Sequence, residues 1–259
     1  NLKVHLKARL LGTEANNVAF SGLGVLSPGE VAQILEAARL GEGLAKLESP
    51  EPGPFILSAY AVGLEIYEAC ARINGLKDRS DLSPFEVDGL ADKAYYAWAE
   101  RVLRKHGYEA LVQFFKSEID ILNLKMAFRA KRLGMSNLDF EKVTLTDGTI
   151  DSNHVNAAYA EGSGSIYALY KGSELEGLAK RGLALLEKEE PLTLWEKECD
   201  NAVTRIMKKA GTISLGPEPI FGYVFGREIE VRNLRIILSG KQALVPENEI
   251  LERLRESYA

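Results

Sequence analysis

One short segment of this chain occurs three times. Asn1-Leu2-Lys3-Val4-His5-Leu6-Lys7-Ala8-Arg9-Leu10-Leu11-Gly12 returns as Asn123-Leu124-Lys125-Met126-Ala127-Phe128-Arg129-Ala130-Lys131-Arg132-Leu133-Gly134, and again as Asn233-Leu234-Arg235-Ile236-Ile237-Leu238-Ser239-Gly240-Lys241. The stretches ahead of the second and third copies also match, Glu118-Ile119-Asp120-Ile121-Leu122 against Glu228-Ile229-Glu230-Val231-Arg232. Further upstream, Asp92 and Asp200 stand at nearly equal distances before Asn123 and Asn233, each expected to open an amphipathic helix. Such repetition constrains the chain to fold as copies of one unit whose apolar faces are buried against neighbouring copies. The expected division is into helical repeats 1–85, 86–190 and 191–259. The third repeat ends one helix after its motif, whereas the first starts at the motif itself. By that register, the upstream helix of the first repeat is expected to be missing from this stretch of sequence.

The unit is helical. Between breaks, apolar residues recur at helical spacing, as in Ala94, Trp98, Val102 and Leu103, then Leu111, Phe114 and Phe115. Proline and glycine gather at Ser49-Pro50-Glu51-Pro52-Gly53-Pro54, Thr146-Asp147-Gly148, Gly162-Ser163-Gly164-Ser165 and Leu215-Gly216-Pro217-Glu218-Pro219, which are expected turns. Candidate strands such as Glu141 to Leu145 are short and isolated, so the fold class is all-α. Ser27-Pro28-Gly29-Glu30 and Ser83-Pro84-Phe85-Glu86 carry helix-start signals, and Pro246 with Glu247 and Glu249 opens a last charged helix expected to run to Tyr258. Trp98, Tyr95, Tyr96, Tyr108 and Trp195 are expected core aromatics, an interface being the alternative.

At 100° per residue the second motif helix has two apolar faces, Ile119, Leu122, Met126, Ala130 and Leu133 on one side and Ile121, Leu124 and Phe128 on the other. Such a helix is sandwiched between neighbours. Its polar edges supply the candidate packing residues: Asn1 and Arg9 in the first copy, Asp120, Asn123, Lys125, Arg129 and Lys131 in the second, and Glu230, Asn233, Arg235 and Lys241 in the third. Acids early and cations late complement the helix dipole by roughly 0.3 to 1 kcal/mol each, which is reason enough for several of them. The asparagine needs another reason. It stands mid-helix beside an apolar face three times, where its helix propensity is mediocre. A partly buried amide requires partners, so it is expected to bond neighbouring backbone or side chains and thereby fix the register of a helix contact.

Chemistry is hard to find. The 37 acidic and 32 basic residues give a net charge of −5 without a basic cluster, which argues against nucleic acid as a partner. Cys70 and Cys199 stand far apart, and His5, His106 and His154 have no second ligand at a metal-binding spacing. Gly22-Leu23-Gly24 lacks the third glycine and the preceding strand of a dinucleotide loop, and no serine stands in a nucleophile elbow. No catalytic residue, cofactor or metal is therefore assigned. The most apolar run, Phe55 to Ala71, carries Glu65 and Glu68 and is short for a bilayer crossing, so it is expected to be a buried helix.

At the residues quoted above, and at Pro219-Ile220-Phe221-Gly222-Tyr223 ahead of the third motif, the chain resembles the C subunit of archaeal-type and bacterial V-type ATPases and ATP synthases, the counterpart of the d subunit in the eukaryotic vacuolar enzyme. The resemblance is specific at the three motifs and thin between them. It implies a funnel of three helical domains about a pseudo-threefold axis, non-catalytic, present once per complex and monomeric in isolation. It also implies a place on the cytoplasmic face of the membrane, where the protein links the central axle to the proteolipid rotor ring and passes torque between ATP chemistry and H+ or Na+ transport. A three-repeat helical scaffold of another assembly is the alternative, and an enzyme with a helical active-site pocket is a further rival.

Overall fold

In a computed structural model, the structure describes residues 84–258 apart from 211, 214 and 215, together with Gly29. The first motif copy with Asn1 and Arg9, the run from Phe55 to Ala71, and Cys70 lie outside the described residues. Two compact units are present, 1–99 and 100–259. Among the described residues the secondary structure is helical: α1 (Pro84–Lys105), α2 (Glu109–Arg132), α3 (Asn137–Val143), α4 (Ser152–Glu161), α5 (Ser163–Tyr170), α6 (Glu176–Glu187), α7 (Thr193–Ala210), α8 (Glu218–Gln242) and α9 (Glu247–Arg253). The unit boundary at residue 99 falls inside α1. Asp92 and Asp200 lie within α1 and α7 rather than opening them.

The second unit is built on α2, which carries the second motif. Ile119, Ile121, Leu124, Ala127, Phe128 and Ala130 are all buried, and α7 runs along one side of this helix. The Phe128 ring meets the Trp195 indole edge to face at 5.4 Å. Trp195 also donates to the Leu178 carbonyl at 2.8 Å, which ties α6 into the same layer. Gly182 of α6 lies so close to these rings that a Cβ there would stand 2.9 Å from both. The two long helices α2 and α8 touch near their starts, where Phe114 and Phe115 meet Phe221 and Phe114 meets Phe225. Trp195 and Tyr96 belong to buried cores, whereas Tyr95 and Tyr108 are exposed. The two-faced picture of the motif helix needs adjustment. Leu122 and Met126 are half-buried and Leu133 is exposed, while the polar edge holding Asp120, Asn123 and Ala127 points into the core.

Three local expectations change for identifiable reasons. Asn137–Val143 is a helix rather than part of a strand, because Ser136 caps it, its hydroxyl accepting from the Asp139 N–H. Only Gly162 breaks the chain in its glycine-serine run, separating α4 from α5 at a φ of 136°; Ser163 to Ser165 are helical. The last helix stops at Arg253 instead of reaching Tyr258, because asparagine side chains take the N–H groups of Arg255 and Glu256.

Both motif helices end in the same six-residue closure. Gly134 N–H bonds the Lys131 carbonyl and Met135 N–H that of Ala130; Leu244 N–H bonds Lys241 and Val245 N–H bonds Gly240. Such a closure needs one left-handed residue, Gly134 at φ 64° and Leu244 at φ 55°. Leucine adopts that conformation at a cost, and this one is 90% exposed, so packing offers no compensation. Leu244→Gly is expected to stabilise the protein by about 0.5 to 1 kcal/mol, the strain relieved exceeding the entropy that glycine loses on folding. A rightward shift of the urea midpoint at unchanged slope would register it; a leftward shift would mean that Leu244 is not strained.

Candidate functional site

The repeated asparagines make the same contact in both described copies. Asn123 is fully buried; its Nδ2 donates to the Leu145 carbonyl and the Leu145 N–H donates to its Oδ1, each at 2.9 Å. Asn233 treats Arg255 alike, with Nδ2 donating to its carbonyl at 3.0 Å and Oδ1 accepting its N–H at 2.9 Å. In each case the partner lies 22 residues on. A side-chain amide presents a donor and an acceptor side by side, which match the N–H and C=O of one residue. The chain between clamp and partner is also alike: helix end, left-handed turn, the short helix α3 or α9, then backbone outside any helix. The same offsets from Asn1 fall on Gly12 and Leu23, outside the described residues.

The other polar residues of the motif divide into three groups. Asp120 is buried and accepts from the N–H and hydroxyl of Thr149 and from the Ile150 N–H, fastening the turn after Leu145 to α2. Burial raises its pKa, and the bonds from Thr149 and Ile150 offset part of that rise. A Cβ on Gly148 would collide with this carboxylate, so the turn needs glycine there. Lys131 holds its Nζ 4.0 Å above the Tyr159 ring, and burial lowers its pKa. Lys125 and Arg129 face α7: Lys125 Nζ lies 2.7 Å from Asp200 Oδ1, and Arg129 Nε lies 3.3 Å from Glu196 Oε1. Asp200 also accepts from Arg255, at 3.1 Å from Nε and 3.0 Å from Nη2. Burial pushes the Asp200 carboxyl up, but Lys125 and Arg255 outweigh it and hold it below the usual carboxylate value.

On α8 the equivalent residues stand differently. Glu230 pairs with Arg227 on the surface, and Arg235 and Lys241 are exposed without an ion pair among the described residues. The C-terminal segment lies along the glycines of this helix, Tyr258 against Gly222 and Gly226 and Ile250 against Gly240, so closely that a Cβ at any of the three would clash.

Few groups here are equipped for reaction. Burial pushes the Cys199 thiol up to about 12, which keeps it protonated at neutral pH, and burial likewise raises Tyr170, whose hydroxyl donates to the Asp120 carbonyl oxygen at 3.1 Å. Among the described residues no group of three histidine, cysteine or acidic side chains could hold a metal ion, and no helix is long and apolar enough to cross a membrane.

The arrangement is one helix–turn–helix unit, twice locked by the same side chain. A family model described as ATP synthase (C/AC39) subunit matches residues 1–253 of the chain. The chain belongs to that family. Among the relatives of this C/AC39 family member, the C subunit of the A-type ATP synthase of Haloquadratum walsbyi is 23% identical over 96% of this chain and 69% of its own length. That of Methanocaldococcus jannaschii is 25% identical over 95% of this chain and 60% of its own length. The C subunit of the V-type sodium ATPase of Enterococcus hirae is 22% identical over 66% of this chain and 52% of its own length. No solved structure matches the chain.

For this C/AC39 family member, the motif located the clamping asparagines but not what they hold. Leu145 and Arg255 carry no side-chain signal, since their backbone is what is bound. Asp200 and Glu196 were accessible in principle. They stand four residues apart, as do Lys125 and Arg129, which is how two antiparallel helices exchange charges.

Proposed function

We propose that this chain is a non-catalytic central-stalk subunit of a rotary A-type or V-type ATPase. It couples the central axle to the proteolipid ring and transmits torque between ATP hydrolysis or synthesis and ion transport, H+ or Na+. The observation that carries the reading is the family match over residues 1–253, with relatives named as the C subunit of an A-type ATP synthase and of a V-type sodium ATPase. The geometry suits the task. A torque-bearing element must resist shear between helices; each described repeat pins a distant backbone segment to its motif helix by two hydrogen bonds, and the Lys125–Asp200 pair ties α2 to α7. Three such units around an axis, one copy per complex at the cytoplasmic face of the membrane, would form the funnel that such a coupler requires.

The test is capture by the two surfaces it must bridge. The tagged full-length protein is expected to retain both the axle proteins and the detergent-solubilised ring of its own complex. Its removal is expected to leave ATP hydrolysis in the catalytic head while ion pumping is lost. Binding to neither surface, together with unimpaired pumping after removal, would refute the reading.

A further inference from the structure

The two motif helices carry the same seam but wear it differently. On α2, Phe114, Ile121, Leu124 and Phe128 recur at spacings of seven, three and four and are buried, with α7 packed beside the motif part through the Phe128–Trp195 contact and the Lys125–Asp200 and Arg129–Glu196 pairs. The corresponding positions on α8 are Val224, Val231, Leu234 and Leu238, and Ile220 extends the row one step further. Leu234 is 57% exposed and Leu238 66%, and Ile220 and Val224 are at least half exposed. Ile220, Val224, Val231, Leu234 and Leu238 stand at spacings of four, seven, three and four over 18 residues, a row about 27 Å long that Arg227 interrupts and whose apolar positions offer a contact surface for another helix. Patches of this kind on an otherwise charged surface mark an interaction site.

The covered copy tells what the partner should carry. Beside the seam of α2 stand two cations four residues apart, and α7 meets them with two acids four residues apart, Glu196 and Asp200. Beside the seam of α8 only the first cation is kept: Arg235 stands where Lys125 stands, and Ser239 replaces Arg129. Both Arg235 and Ser239 are exposed. We infer that the Ile220–Leu238 face of α8 receives an antiparallel amphipathic helix of the α7 type, about 18 residues long, which sets an acid against Arg235 and a bulky apolar side chain over Leu238. The inference rests on the equivalence of the two repeats and not on the proposed function.

A peptide with the sequence of residues 193–210, stapled on the face away from Glu196 and Asp200 and verified as helical by circular dichroism, serves as the probe. Titrated as a fluorescent ligand into the whole chain at low salt, it is expected to bind saturably. Leu238→Asp and Leu234→Asp, both at exposed positions, should each weaken binding at least tenfold with the far-ultraviolet spectrum unchanged. Arg235→Glu should weaken it severalfold, and a peptide carrying Asp200→Lys should recover that loss on the Arg235→Glu protein alone. Absence of saturable binding, or equal binding by all variants, would overturn the inference. So would a dimer in sedimentation that Leu238→Asp dissolves and that excludes the peptide, because the occupant would then be a second copy of the chain.

Discussion

Asn123→Ala is expected to destabilise the 100–259 unit by about 4 kcal/mol. The substitution removes two hydrogen bonds and leaves the N–H and C=O of buried Leu145 without partners, each such loss costing roughly 1 to 3 kcal/mol. Asn233→Ala breaks the same pair of bonds at a half-buried site, where water can reach Arg255, and should cost about 1.5 kcal/mol. The contrast is the informative part. Urea titration of the two variants side by side measures it, and equal losses would show that burial does not set the strength of the clamp. Asn123→Asp sharpens the comparison. It keeps the acceptor but sets an oxygen against the Leu145 carbonyl, so at neutral pH it should be at least as damaging as alanine.

The second large effect belongs to Asp200, which gathers Lys125 and Arg255 at one point. Asp200→Asn keeps the shape but removes the negative charge, leaving two largely enclosed cations facing each other. The expected loss is about 3 kcal/mol at neutral pH. Its pH dependence follows from the direction of the shift. The folded carboxyl lies below its unfolded value, so its stabilisation is complete above the ordinary carboxylate pKa near 4 and is lost as pH falls through the lower folded value. The gap between the natural protein and Asp200→Asn should therefore narrow steadily below about pH 4. Asp120 acts in the opposite sense. Its folded pKa is raised, so the folded state holds the proton more tightly, and stability falls as pH rises from the unfolded value through the folded one. Denaturation curves at several acidic pH values separate the two; a gap that stays constant down to pH 2 would mean that the Lys125–Asp200–Arg255 cluster contributes no net charge energy.

Legibility in the sequence tracked the physics of each signal. Helical periodicity revealed α2 and α8 because one residue in three or four is apolar for several turns, and the repeated asparagine was conspicuous because a mid-helix amide is unfavourable unless it is bound. The extent of α9 escapes a sequence reading for a related reason. Residues 254–258 have nothing in their composition against helix, and they leave it because Asn233 and Asn201 compete for their N–H groups from elsewhere in the fold. The buried side of α2 was only partly visible, since Asp120 looks like a residue of a solvated edge until Thr149 and Ile150 are brought over it. Local signals thus reported local structure well. The backbone partners of the asparagines, 22 residues on, left no mark in residue type.

That a side chain grips main chain has a consequence for how such a protein can change over generations. A salt bridge or an apolar contact binds two residue types to each other, so drift at one site must be answered at the other. The amide grip binds one type only: its partner is a leucine in one copy and an arginine in the next, with the same two bonds. Half of the fastening is thereby released from selection on side-chain identity. Tandem copies can lose their likeness nearly everywhere and still close in the same way, as the thin similarity between the motifs here attests.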